Sequence, residues 1–156
     1  MKPEMLKGFE PFNIGAGTRY LILGSFPSVK SLDGNFYYLH PQNKFYRIIS
    51  QLFQEQFPVG IVDKKNLLIR CRIGLWDIIS QCERSGSLDS AIKNYRVSDL
   101  KSISNIKSMK IGCTGKKSFE LTRKYYQELN PTYLSSPSPA NAKYFSMESW
   151  INYFGP

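Results

Sequence analysis

Few side chains in this chain can do covalent or metal chemistry. His40 is the one histidine, and Cys71, Cys82 and Cys113 are widely spaced. A Ser–His–Asp triad would have to use His40, and no Gly-x-Ser-x-Gly turn exposes a nucleophile. An odd, scattered set of cysteines excludes a disulfide framework, and with a single histidine it argues against zinc or iron–sulfur ligation. No metal and no cofactor is expected. Acid–base work would fall to Asp33, Asp77 or Asp89. Asp77 follows Trp76 in an apolar run and reads as a buried, hydrogen-bonded acid. Asp89 falls in a first helical turn, where a carboxylate stabilises the helix dipole. Ion pairs perturb acids as readily as catalysis does, so both read as structural.

Two glycine-rich stretches invite phosphate chemistry. Gly15-Ala-Gly17 opens like a dinucleotide fingerprint, but Tyr20 holds the third glycine position and the motif precedes its strand. Around Gly115-Lys116-Lys117 the first glycine of a phosphate loop would stand at Lys110, and no Ser or Thr follows Lys116. What remains there is a strand–glycine–helix junction whose backbone N–H groups, with Lys116 and Lys117, can hold a phosphate. The alternative is a plain turn.

The elements that must position these groups alternate between strand and helix. Arg19-Tyr-Leu-Ile-Leu-Gly24 is an apolar run ending in glycine, the pattern of a buried parallel strand. Residues 25–42 show no helical period and read as a long functional loop. Phe45, Ile48, Ile49, Leu52 and Phe53 recur at helical spacing. A helix over 64–72 leads to a strand over 73–79. Short helices follow at 87–92 and 98–105, then a strand at 109–113 and a helix at 116–129. A last strand at 132–135, a stiff loop at 136–141 and a closing helix at 143–154 complete the chain. This order predicts one domain over residues 1–156, a three-layer α/β/α sandwich around a short, mainly parallel four-stranded sheet. Ligands in such folds sit at the carboxyl ends of the strands, so loops 25–42, 114–117 and 136–142 should converge on one cleft.

Composition names a partner class. Of 156 residues, 21 are Lys or Arg and 12 are Asp or Glu, a net charge of +9, and aromatics make up 14%. A basic, aromatic-rich chain fits a polyanion whose flat groups can be stacked upon. Residues 93–156 hold ten of the basic and four of the acidic side chains, interleaved with apolar residues, which places the excess charge on a folded surface near the later loops. No apolar run reaches membrane-spanning length and residues 1–10 carry no apolar signal core, so a cytoplasmic monomer without membrane attachment is expected, nucleoid-associated in a bacterium.

Three segments in order, Gly24-Ser-Phe-Pro-Ser28, Tyr37-Tyr-Leu-His-Pro-Gln-Asn-Lys-Phe45 and Ser136-Pro-Ser-Pro-Ala-Asn141, resemble the uracil-DNA glycosylase superfamily. The second run is most similar to its hypoxanthine-DNA (deoxyinosine) glycosylase branch, near the mismatch-specific enzymes, and Arg84–Ile92 fits that branch. The resemblance extends from residue 20 to about residue 150. It implies a DNA base-excision repair enzyme that hydrolyses the N-glycosidic bond of a flipped, deaminated base, hypoxanthine first and uracil second. It implies Asn43 as the catalytic residue, its amide oxygen orienting water against C1′. Gly24, Ser25, Phe26, Pro27, Ser28, Tyr38 and His40 would form the base pocket, with Tyr38 stacking on the base. Ser136, Ser138, Pro139, Ala140 and Asn141 would press into the duplex, flanked by Lys116, Lys117 and Lys143 on phosphates. The chain departs from the superfamily at Phe26, where relatives carry Asn or Asp, and at Ser136, where typical uracil enzymes carry His. The first departure selects the deoxyinosine branch; it also leaves a second reading, a nucleic-acid-binding relative that releases no base. Taken without the resemblance, Asn43 reads as a helix cap and Tyr38 as core.

Overall fold

The computed structural model describes residues 4–155; the first three residues of the segment read for a targeting signal, and the two ends of the predicted domain, lie outside it. The main sheet is built from β2 (Tyr20–Gly24), β3 (Ile73–Asp77), β6 (Lys110–Thr114) and β7 (Thr132–Leu134), in the order β3-β2-β6-β7. All three pairings are parallel. Every residue of β2 is buried, as a strand covered on both faces requires. Its side chains alternate between two cores. Tyr20 and Ile22 join a cluster with α2 (Phe45–Leu52), α3 (Gly60–Arg70) and α5 (Glu148–Phe154), while Leu21 and Leu23 join a cluster that includes Leu121 of α4 (Gly115–Tyr126). The three-layer sandwich expected from the sequence is the observed fold.

A second sheet was not foreseen. The run 73–79, predicted as one strand, breaks at Ile78; the chain leaves the parallel sheet and continues as β4 (Ile79–Glu83). β4 pairs antiparallel with β1 (Met5–Lys7) and β5 (Lys93–Val97). The predicted helices at 87–92 and 98–105 contain only the three-residue 3-10 turns Asp89–Ala91 and Leu100–Ser102, and a third turn, Ile106–Ser108, follows. The buried residues in and beside these turns, Ile92, Leu100, Ile103 and Ile106, pack individually into the second core without building a helical face. The predicted loop 25–42 contains α1 (Val29–Gly34), capped where Ser28 Oγ accepts a hydrogen bond from Ser31 N at 3.1 Å. The closing helix begins at Glu148, because Pro139–Tyr144 is a separate 3-10 segment.

The order of the strands places a crevice. The chain leaves β2 toward α2 and α3 on one face, and leaves β6 toward α4 on the other. That reversal opens a gap at the carboxyl ends of β2 and β6.

Candidate active site

A cleft of about 820 Å³ lies at those carboxyl ends, and the three predicted loops do converge there. Every site residue predicted from the sequence lines it except Lys143. Its floor is made by the last residues of three strands: Gly24 of β2, Asp77 of β3 and Thr114 of β6. Gly24 pairs directly with Asp77 in the parallel ladder. A Cβ on Gly24 would stand 2.5 Å from Asp77 Oδ1, 3.4 Å from the Tyr38 hydroxyl and 3.6 Å from Thr114 Oγ1. Only glycine admits this convergence of polar atoms.

Tyr38 is held in the left-handed region, at φ +59°, a conformation uncommon for an aromatic residue and one that clusters at functional sites. Its ring stacks on the fully buried Phe45, with centroids 4.1 Å apart and planes inclined by 21°. The hydroxyl is buried without a hydrogen-bond partner among the described residues. Burial, reinforced by the nearby Asp77, raises its pKa well above the ordinary phenol value, so it stays protonated.

Asn43 is half-buried at the start of α2, and its Oδ1 accepts a hydrogen bond from Phe45 N at 2.9 Å. The cap position of α2 is Lys44, so Asn43, expected as the cap, stands one residue before it and bonds the first helical N–H; its oxygen retains a second lone pair. His40 Nδ1 accepts from Gln42 N at 3.1 Å, and His40 O accepts from Asn43 N, so the His-Pro-x-Asn segment is a hydrogen-bonded turn. The next peptide ties this turn to the later loop: Lys44 N donates to Pro137 O at 3.0 Å.

Phe26 contributes backbone to the cleft, but its ring belongs to the core, 6% exposed and beneath the Arg84 guanidinium at 5.1 Å. The position that carries an acid or amide in relatives thus packs inward. Arg84, buried itself, donates through Nη2 to Pro27 O at 2.6 Å and anchors the 25–28 loop from behind. Ser25 Oγ donates to Asp89 Oδ1 at 2.6 Å. Asp89 is therefore a clasp between the Asp89–Ala91 turn and this loop, where the sequence suggested only a helix-dipole role. Asp77, expected to be hydrogen-bonded, is buried but has no partner for Oδ2 among the described residues. Desolvation, with the Asp89 charge second and Arg84 opposing, pushes its pKa up to about 7.

The rim is the 136–141 loop. Gly115, at φ +86°, opens α4 so close to it that a Cβ there would lie 3.3 Å from Ser136 Cβ. Ser136 Oγ accepts from Ser138 N, Ser138 Oγ accepts from Ala140 N, and Asn141 Nδ2 donates to Ser136 O at 3.1 Å. Asn141, predicted to reach base edges or phosphate, uses its amide N–H to close its own loop. Ala140 is exposed and Pro139 half-exposed, as a blunt projecting edge requires. Lys116 is exposed and lies 3.9 Å from Glu120. Lys143 lies beside the cleft, its ammonium 5.6 Å from the ring of Tyr144, which lines the cleft at 74% exposure. The expectation that charge in 93–156 gathers at the cleft is corrected in part. Lys110 opens β6 at the end remote from the cleft and donates to Tyr153 O, and Lys101 pairs with Glu128.

Thr114 and Tyr144 are among the lining residues that the sequence does not single out, and Asp77, which the sequence reads as structural, lies on the floor. An exposed aromatic beside a Pro-rich basic loop is the available signal for Tyr144.

The cleft lies at a strand-order reversal and combines an aromatic face, a side-chain amide and a projecting rim. The chain is 36% identical over 96 residues to a protein named hypoxanthine DNA glycosylase from Methanosarcina acetivorans, and 35% identical over 92 residues to one of that name from Methanosarcina barkeri. The matched stretches span 61% and 58% of this chain and of those relatives, so the chain matches about three fifths of their length. The solution NMR structure of a "putative Uracil DNA glycosylase" from Methanosarcina acetivorans superposes with a TM-score of 0.78 at 27% identity, covering 96% of this chain and 94% of that one. No family model matches the chain. The solved neighbour shares this chain's fold, and the names of the relatives agree with the resemblance of the three sequence segments to the uracil-DNA glycosylase superfamily.

Proposed function

We propose that this protein is a monofunctional DNA glycosylase that hydrolyses the N-glycosidic bond of a deaminated base flipped out of DNA, hypoxanthine before uracil, and leaves an abasic site. The observation that carries this reading is the convergence on one cleft of Gly24–Ser28, Tyr38–Asn43 and Ser136–Asn141. A glycosylase has to unstack its target nucleotide and hold the base in a pocket. The Tyr38 ring, backed by Phe45, offers the stacking face. Asn43, beside it, polarises a water toward C1′ through the lone pair that the Phe45 N–H leaves open. Pro139 and Ala140 press into the stack from the rim, and Lys116, Lys117 and Lys143 meet phosphates, which position the duplex without reading sequence. No lysine is needed as a Schiff-base nucleophile.

Duplexes carrying deoxyinosine, deoxyuridine or deoxyxanthosine, incubated with the protein and then cleaved with alkali, test the reading. Cleavage at deoxyinosine, strongly reduced in Asn43→Ala, is the expected result. Tight duplex binding with no base release from any of the three would overturn it in favour of a binding protein.

A further inference from the structure

A buried carboxyl without a partner costs free energy unless something completes it. Asp77 is 5% exposed, its Oδ2 is unpartnered among the described residues, and it lines the cleft floor. The Tyr38 hydroxyl beside it is unpartnered too, and Thr114 Oγ1 makes only a long contact of 3.4 Å to Leu23 O. Among the described residues the fold leaves Asp77 Oδ2 without a partner, and the Tyr38 phenol faces only the Thr114 side chain. Four charged or titratable groups face Asp77 from three segments: Asp89 from the turn after β4, Arg84 from the end of β4, and Tyr37 and Tyr38 from the loop after α1. The phenols are neutral, Asp89 favours the protonated acid and Arg84 opposes it. Burial and the Asp89 charge together outweigh Arg84, and the carboxyl keeps its proton up to about pH 7.

We propose that Asp77 is the acid of this cleft and that it hands its proton to N7 of a flipped purine as the glycosidic bond breaks. This deepens, and rests on, the glycosylase reading. A purine leaves C1′ poorly as an anion; protonation at N7 lets it leave neutral. The C1′–N9 electron pair departs with the base, N7 takes the Asp77 proton, and water held by Asn43 bonds to C1′. The proton lost from that water returns through solvent to the Asp77 carboxylate, so the cycle closes without a co-reactant. Phe26 gives the loop after β2 no acid; Asp77 brings one to the same floor from the neighbouring strand, directly opposite Gly24. A 6-oxopurine carries the N7 that such an acid needs and a pyrimidine does not, which places hypoxanthine ahead of uracil.

The test is single-turnover base release between pH 5.5 and 9 from duplexes carrying deoxyinosine, 7-deaza-deoxyinosine or deoxyuridine, with wild type and Asp77→Asn. The wild-type rate on deoxyinosine is expected to fall about tenfold per pH unit above the Asp77 pKa, and Asp77→Asn to lower the acid-side rate by about 10²- to 10⁴-fold and flatten that limb. The 7-deaza duplex, bound as well as deoxyinosine, is expected to keep its base. That arm uses the unaltered protein, so misfolding of the variant cannot imitate it. Release of 7-deazahypoxanthine at the deoxyinosine rate, or an unchanged pH limb in Asp77→Asn, overturns the role of Asp77 alone. No release from any duplex by the wild type overturns the glycosylase reading and this role with it.

Discussion

The floor and the rim of the cleft handle their polar groups in opposite ways. On the floor, Asp77 Oδ2 and the Tyr38 hydroxyl are buried and unpartnered. On the rim, Ser135, Ser136, Ser138 and Asn141 bond to one another or to nearby backbone: Ser135 Oγ takes the Ser146 N–H at 3.0 Å, and Asn141 N donates to Ser138 O at 2.9 Å. A group left open in the interior is available to a ligand; a group closed on its own loop fixes a shape. The floor therefore carries chemistry, and the rim carries geometry.

The largest effect expected from this contrast is thermodynamic. Folded Asp77 holds its proton to about pH 7, while the unfolded side chain loses it near 3.8. Between those values the folded chain binds the extra proton, so stability falls as pH rises. Thermal melts of wild type and Asp77→Asn should diverge in favour of the variant by up to about 4 kcal/mol between pH 4 and pH 8. Parallel curves would mean the carboxyl is completed in solution and the floor is not open.

Next comes Asn43→Ala, expected to lower base release by about 10²- to 10³-fold, the scale of losing one preorganised polar group. The lost hydrogen bond to Phe45 N costs about 1 kcal/mol, which a melt measures separately. Gly24→Ala drives a methyl into Asp77 Oδ1 and should cost about 1–3 kcal/mol of stability, with base release falling alongside it. A silent Gly24→Ala would show that the floor has room to spare. At the surface, raising salt from about 50 to about 200 mM should weaken duplex binding roughly 40-fold if Lys116, Lys117 and Lys143 each neutralise one phosphate, and roughly 3.5-fold when the first two are Ala. Smallest is Asn141→Ala, which removes one loop hydrogen bond worth about 1 kcal/mol. Its effect on base release should be below that of any floor variant; a larger one would give the rim chemistry of its own.

The sheet and the meeting of three loops were legible because glycine-ended apolar runs and a Pro-Ser loop are local signals. The role of Asp77 was not, because it depends on register. Within Ile73–Ile79 it reads as one residue of a single apolar strand, and only the break at Ile78 and the pairing with Gly24 turn it to the cleft. The second sheet escaped because β5 is five residues, none of them buried, with only Tyr95 and Val97 alternating toward the core, too short a pattern to mark a strand. α1 is too short for a helical period to show. The left-handed backbone of Tyr38 has no sequence signature, since tyrosine does not favour that region.

One hydrogen bond has a mechanical consequence. Lys44 N–H, the peptide directly after Asn43, is held by Pro137 C=O, two residues before the projecting Pro139. Under the proposed function, a force on the projecting edge reaches the amide through a single short strut. Leverage on the duplex and alignment of the attacking water then become one motion: loosening the wedge by a fraction of an ångström detunes the reaction centre without touching any residue in it.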